Sequence, residues 1–321
     1  MSPNASQGVG GRRDGKGERT MVPKPEFRSY YGRPVIKEPV WKPEVPWYFF
    51  SGGLGGASAT LAFAAGVAGN RELARRSWLV SLGAISASPV LLIMDLGRPE
   101  RFLNMLRVFK PTSPMSVGSW LLALTGASVT AATAHETLGL FAKLGRLTRV
   151  TSGVLGLPMA TYTAALIGNT AVPVWHEARR TLPFVFAAGA AASAGAAATA
   201  VTPADYAGPA RRLTVGGALL ATTASQVMER RLGELAEPYH EGAAGRYARA
   251  AKGLTLAGAG MVAFARRRRA GAVAGSALVL AGAVLERWAV FKAGFQSASD
   301  PRHTIGPQRQ RAQERSRTTV R

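Results

Sequence analysis

Hydrophobic positions along this chain fall into blocks, with short polar runs between them. Eight blocks can be marked: Trp47–Gly69, Trp78–Met94, Val117–Ala134, about Gly153–Trp175, Leu182–Val201, Leu213–Met228, about Lys252–Ala265, and Ala270 to about Phe291. Each is close to the roughly 17–25 apolar residues that a helix needs to cross a hydrocarbon core. The seventh is the shortest. The pattern predicts an all-α integral membrane protein with about eight transmembrane helices. Pro89 lies inside the second block, and Pro158 and Pro173 inside the fourth. Membrane helices tolerate proline, although each one frees a carbonyl and bends the helix. The connectors leave no room for a separate soluble domain. The two longest, about Asp95–Ser116 and about Glu229–Ala251, each have room for a short interfacial helix. Ahead of the blocks, residues 1 to about 24 lack apolar periodicity and read as disordered. From Phe27 to Pro46, with Tyr30, Tyr31, Trp41 and several prolines, the chain reads as an extended strap. Lys292–Arg321 forms a basic tail.

Composition supports this picture and narrows it. A net charge of +22 sits beside 47% hydrophobic residues in 321. The two agree if basic connectors alternate with apolar spans. The basic residues lie at block ends and in the tails rather than on one folded face. They therefore read as topology signals, not as a nucleic-acid surface. An even number of spans puts both termini on one side, and the basic tails mark that side as cytoplasmic. Ala and Gly are abundant, as close helix packing in lipid favours. Trp47, Tyr48, Trp78, Trp120, Trp175 and Trp288 cluster at block edges like an interfacial belt. Arg12-Arg13 is a twin-arginine pair with no apolar core close behind it, and the first block begins too late for a signal peptide. There is no cysteine, so the chain cannot hold an iron–sulfur cluster through thiolates or form a disulfide.

Polar groups at membrane depth are costly and hence functional suspects. On the side of the termini these are Asp95, Arg98, Arg101, His176, Glu177, Glu229 and Glu286. His135 and Glu136 are on the other side, and Tyr162 and Asn169 lie within the fourth block. Of four histidines, His240 and His303 fall outside the spans, and His135 and His176 sit at opposite faces. No bis-His pair remains for a b-type haem. No pair of ligands at i, i+3 or i, i+4 spacing points to a metal. The stretch Asp95-Leu96-Gly97-Arg98-Pro99-Glu100-Arg101-Phe102 closes the second block; its Gly and Pro turn the chain, and Asp95 is expected to clamp Arg98 or Arg101. The run Ser51-Gly52-Gly53-Leu54-Gly55-Gly56-Ala57-Ser58 gives a helix face on which another backbone, or a flat ligand, can lie close. It is not a phosphate loop, since no strand precedes it and no Lys–Ser/Thr follows. Hydrogen-bonding groups near one face of an apolar bundle suit a ligand with a polar head and a greasy tail, and a quinone fits. A secondary transporter or proton channel would want polar groups near the midplane, often at broken helices; only Pro89, Pro158 and Asn169 hint at that. A purely structural anchor is the third reading.

Taken together, several stretches resemble the integral membrane subunits of the NrfD/polysulfide-reductase type. They are the Trp–Pro–aromatic lead into a Gly-rich first helix (Trp41 to Ser58), the turn Asp95 to Phe102, Ser113-Pro114-Met115-Ser116-Val117-Gly118-Ser119-Trp120, and Tyr162-Thr163-Ala164-Ala165-Leu166-Ile167. The resemblance implies eight transmembrane helices in two four-helix bundles, over 47–176 and 177–291, without haem, in a bacterial cytoplasmic membrane. It implies a quinone site (menaquinone or ubiquinone) near the face where a four-cluster ferredoxin-like iron–sulfur subunit docks. A molybdopterin (Mo/W) catalytic subunit, such as a formate dehydrogenase-like enzyme, completes such complexes, so clusters and molybdopterin belong to partners. On this basis Tyr162 and His176 are expected to hydrogen-bond the quinone head. Asp95 and Arg98 build or protonate the site. Gly52, Gly53 and Gly56 let the ring approach, Glu286 offers a proton route, and Trp41 and Arg101 face the partner.

Overall fold

The computed structural model describes residues 36–305, except Gly97, Phe141, Arg266 and Arg267. Residues 1–35, which include the first part of the strap, the end of the basic tail from residue 306, and the glycine of the Asp95–Phe102 turn thus lie outside the described residues, whereas Lys292–Ser299, read as the start of that tail, continues the last long helix. Within them the chain is helical, and no strand forms. In lipid every backbone N–H and C=O must be satisfied within the protein, and an apolar block does this by closing on itself as a helix.

Eight helices have 20 residues or more among the described residues: α1 (Glu44–Val67), α2 (Arg71–Asp95), α3 (Pro114–Leu138), α4 (Ala142–Gly168), α6 (Leu182–Val201), α7 (Gly208–Leu232), α9 (Gly242–Phe264) and α10 (Arg269–Ser299). Two short ones, α5 (Pro173–Glu177) and α8 (Glu237–His240), and a 3-10 helix over Pro99–Leu106 fill the connectors. Six helices, α1, α2, α3, α4, α6 and α10, are long and apolar enough to cross a membrane. The chain is a multi-pass membrane protein. By composition α7 and α9 are more polar, carrying Arg211, Arg212, Arg230 and Arg231 in one and Arg246, Arg249 and Lys252 in the other.

Most helices run past their apolar blocks. α2 begins with two polar turns, where Arg76 pairs with Glu72 at 2.9 Å and Asn70 accepts from the Leu73 N–H at 3.1 Å, a helix N-cap. α9 starts at Gly242 rather than near Lys252, because long basic side chains reach water while their backbone stays helical. The fourth block is instead broken. α4 begins at Ala142 and stops at Gly168, and the chain restarts as α5 at Pro173. Proline has no N–H to give a continuing helix and constrains the residue before it. Apolar Val172, Val174 and Trp175 hide this break in the sequence. α2 and α4 run on through Pro89 and Pro158.

Consecutive helices pack as neighbours. α1 lies against α2 and α4, α2 against α3, and α3 against α4; likewise α6 lies against α7 and α10, and α9 against both α7 and α10. α1 and α6 join the two groups, with the Phe49 and Phe186 rings 6.0 Å apart. One apolar cluster, including Tyr48, Phe49, Met159, Trp175, Phe186 and Phe291, runs across the junction. The seams use the small residues. A Cβ at Gly56 would lie 2.5 Å from the Gly156 carbonyl oxygen, and one at Gly258 would lie 2.5 Å from that of Gly275. Without hydrophobic drive between helices in lipid, such close backbone approach carries much of the packing.

Candidate functional site

At the end of the molecule where the strap enters, α1 and α3 begin and α2 and α4 finish. Asp95, the last residue of α2, accepts a hydrogen bond through Oδ1 from the Lys42 backbone N–H at 2.9 Å. Lys42 Nζ reaches the Met94 carbonyl at 3.4 Å, one of the carbonyls a helix end leaves free. The aspartate thus fastens the strap to the end of α2. The expected clamp is replaced: among the described residues Asp95 makes no ion pair with Arg98 or Arg101. Leu96 and Arg98 are extended before Pro99 opens the 3-10 helix, and Arg98 and Arg101 are both exposed. Trp41 of the strap is half-buried, stacked on Trp175 at 5.4 Å and 21°. The Trp175 indole N–H donates to the Val290 carbonyl of α10 at 2.8 Å.

This geometry makes a prediction. Asp95→Ala is expected to speed amide hydrogen exchange over residues 36–43 by about tenfold, the equivalent of one hydrogen bond of about 1–1.5 kcal/mol. Asp95→Asn keeps an oxygen acceptor and should retain most of the protection. Equal exchange in wild type and Asp95→Ala would show that Trp41 alone holds the strap.

One turn deeper, the hydroxyls of Tyr48 (α1) and Tyr162 (α4) share a hydrogen bond, with the rings edge to face at 6.4 Å. Tyr48 is buried and Tyr162 half-buried. Gly118 of α3 makes the space, since any Cβ there would run into the Tyr162 ring. Ser51 and Ser88 link α1 to α2 at 2.9 Å. On α3 the Trp120 indole N–H is buried without a partner among the described residues.

The other predicted residues divide. Gly52, Gly53 and Gly56 are buried, facing Met159 of α4, Ala190 of α6 and Gly156 of α4 respectively. The glycine run thus lets neighbouring helices lie close against α1. His176 is exposed on α5, because the short helix turns Trp175 inward and its neighbour outward. Its backbone carbonyl accepts from Arg179 at 2.8 Å, and its ring makes no hydrogen bond to Tyr162 or Asp95 among the described residues. His135 and Glu136 are at the opposite end, where Glu136 pairs with Arg149 at 2.8 Å. Glu286 belongs to the second helix group. Its Oε1 accepts from Ser225 Oγ at 3.2 Å, and Oε2 lies 3.5 Å from Arg287 Nη1.

Two residues emerge only with the structure. Tyr48, read as part of an interfacial belt, is the partner of Tyr162. Its spacing was the available signal, since Tyr48, Gly52 and Gly56 share one helix face. Arg287, near the end of the last apolar block, is 2% exposed. It lies over the Phe186 ring at 3.7 Å and donates to the Phe186 carbonyl at 3.0 Å. No local signal separates such an arginine from one that reaches water.

Residues 36–232, more than half of the chain, match the model of the family described as polysulphide reductase, NrfD. The chain belongs to the NrfD family. A comparison with curated proteins finds no match. The NrfD match runs from the strap through the end of α7. It therefore contains Asp95, the Tyr48–Tyr162 pair and His176, while Glu286 lies beyond it. The chain is a membrane subunit of the type found in polysulfide reductase-like oxidoreductase complexes.

Proposed function

We propose that this NrfD protein is the quinone-reactive membrane anchor of a multisubunit oxidoreductase. The observation that carries the reading is the Tyr48–Tyr162 pair. Two phenols own two hydroxyl protons, and their mutual bond uses one. The second is free to donate to a ligand oxygen, and Tyr162 is the more exposed of the two. Tyr162 lies six residues before the end of α4, about 9 Å along the helix. That is a depth suited to a polar ring whose tail runs into lipid. The unpartnered Trp120 N–H offers a further donor at the same end, so the residues present fit a quinone head. When bound, menaquinone or ubiquinone supplies a two-electron, two-proton redox couple. Tyr162 holds a head oxygen, Tyr48 orients Tyr162, and His176 at the same end serves as a second donor. Asp95 and Lys42 keep the strap closed over the helix ends, with Arg98 at the rim.

In this reading Trp41 and Arg101 belong to the surface that meets a four-cluster ferredoxin-like subunit, beyond which a molybdopterin subunit acts on substrate. With no cysteine of its own, the chain takes or gives electrons through that partner. We count α7 and α9 with the six apolar helices as eight spans, in bundles over 47–176 and 177–291, with termini on the cytoplasmic side. The test is a photoreactive azidoquinone applied to the complex purified with its partners. The label is expected in the α4 peptide that contains Tyr162, competed by excess natural quinone. Labelling confined to other helices, or not competed, would sink the proposal.

A further inference from the structure

A cavity of about 70 Å³ lies inside the second helix group, between α6, α7, α9 and α10, with Tyr239 of α8 closing one side. Its walls are chiefly small and apolar, Ala221, Ala251 and Ala283 among them. Into it project Glu286 of α10, Ser225 of α7 and Tyr239, while Glu229 of α7 and Lys252 of α9 line it as well. Gly189 of α6 gives Glu286 its place, because a Cβ there would lie 2.6 Å from Oε2. The cavity sits toward the strap end, since Tyr239 packs in the same apolar cluster as Trp175 and Phe291.

The Tyr239 residue is 4% exposed, and its hydroxyl has no partner among the described residues. A buried hydroxyl left unpaired costs about 1–3 kcal/mol, so something small must meet it. The space is large enough for a few waters, and its few polar groups give them partners. A route outward is in place: Glu229 Oε2 lies 3.8 Å from Nε2 of His240, which is exposed.

We propose that this cavity holds a small water cluster that keeps the Glu286 carboxyl in proton exchange with the strap-end aqueous phase, by way of Tyr239 and Glu229. The step is a proton moving between water and a carboxylate oxygen, with no other bond made or broken. The charged and titratable groups around Glu286 are Arg287 on its own helix, Glu229 from α7, Tyr239 from α8 and Lys252 from α9; α6 contributes Gly189 and no charge. Burial, and then Glu229 and Glu286, hold the Tyr239 phenol well above its ordinary range, so it relays by hydrogen bonding while staying neutral. Arg287, fixed by Phe186, stands beside the site, its Nη1 3.5 Å from Glu286 Oε2.

The proposal is independent of quinone binding, and neither of its two measurements involves a quinone. Hydroxyl-radical footprinting of the intact complex oxidises buried side chains that touch internal water. Tyr239 and Met228, which line the cavity, are expected to label several-fold faster than Met159, which is equally buried elsewhere. Ala221→Leu, filling the cavity, should remove the excess and leave Met159 unchanged. Separately, dicyclohexylcarbodiimide should modify Glu286, less so as pH rises, and Glu286→Gln should lose the adduct. Tyr239 and Met228 labelling no faster than Met159 would show a dry cavity and overturn the proposal. So would the absence of a Glu286 adduct at every pH.

Discussion

Valine at Gly56 is expected to prevent assembly of the chain in membranes, while alanine at Gly83 leaves it intact. A Cβ at Gly56 would stand 2.5 Å from the Gly156 carbonyl oxygen and 3.0 Å from both the Ala160 nitrogen and Met159 Cβ. Two of those three atoms are backbone and cannot turn aside. The seam is also tied by Thr60 Oγ1, which donates to the Gly153 carbonyl at 2.8 Å, so α1 cannot lift from α4 without losing that bond. Overpacking of this kind costs about 1–3 kcal/mol where the core can still adjust. A clash with backbone belongs at or above the upper end, against a total stability of about 5–15 kcal/mol. At Gly83, by contrast, an added Cβ meets nothing within 4 Å, and alanine gains about 1 kcal/mol of helix propensity. Yield of the folded complex by size-exclusion chromatography, together with its Tm, checks both. A Gly56→Val chain that assembles with a wild-type Tm would mean that α1 and α4 are not locked at this seam.

The same seam shows what was legible. Tyr48, Gly52 and Gly56 recur every fourth residue, and Gly156 and Met159 stand three apart on the helix they meet. Periodicity therefore marked a close-packed face, though not which helix would lie against it. The bounds of α6 coincide with its apolar block, because the Thr181–Pro183 and Thr202–Pro203 stretches punctuate both ends. Those of α9 do not, since its first turns carry Arg246, Arg249 and Lys252, and hydropathy marks only what matches lipid. The break before α5 was hidden for the opposite reason, as its residues are apolar enough to pass for helix.

Contacts between distant segments were not legible. Lys42 meets Asp95 across 53 residues, and the nearer arginines made the more obvious partners for that carboxylate. Arg287 is buried only because Phe186 and Gly189 of α6 receive it and its neighbour Glu286. An arginine at the end of an apolar block has the same local sequence whether it reaches water or turns inward. The family match ends at Leu232, yet α9 and α10 complete a second group of packed helices. Seams built of interchangeable Ala and Gly keep their geometry with little distinctive sequence.

Tyr162→Phe is expected to lower quinone-linked turnover of the complex by about tenfold or more, and Tyr48→Phe by less. Losing a hydrogen bond to a polar ligand group that is left unpaired costs about 1–3 kcal/mol, and 1.4 kcal/mol is a factor of ten. Phenylalanine keeps the ring that fills the space over Gly118, so Tm should change little and the loss should fall on function. Tyr48→Phe removes the partner of Tyr162 but leaves its hydroxyl, now free to turn. The donor survives with poorer orientation, which accounts for the smaller effect. The double variant should turn over no more slowly than Tyr162→Phe alone, since orienting a donor that is absent contributes nothing; residues acting through one interaction are non-additive in this way. If the two losses instead multiply, each phenol meets the ligand independently and the pair is not a single donor. Unchanged turnover in Tyr162→Phe would remove the pair from the quinone reaction and leave it as a tie between α1 and α4.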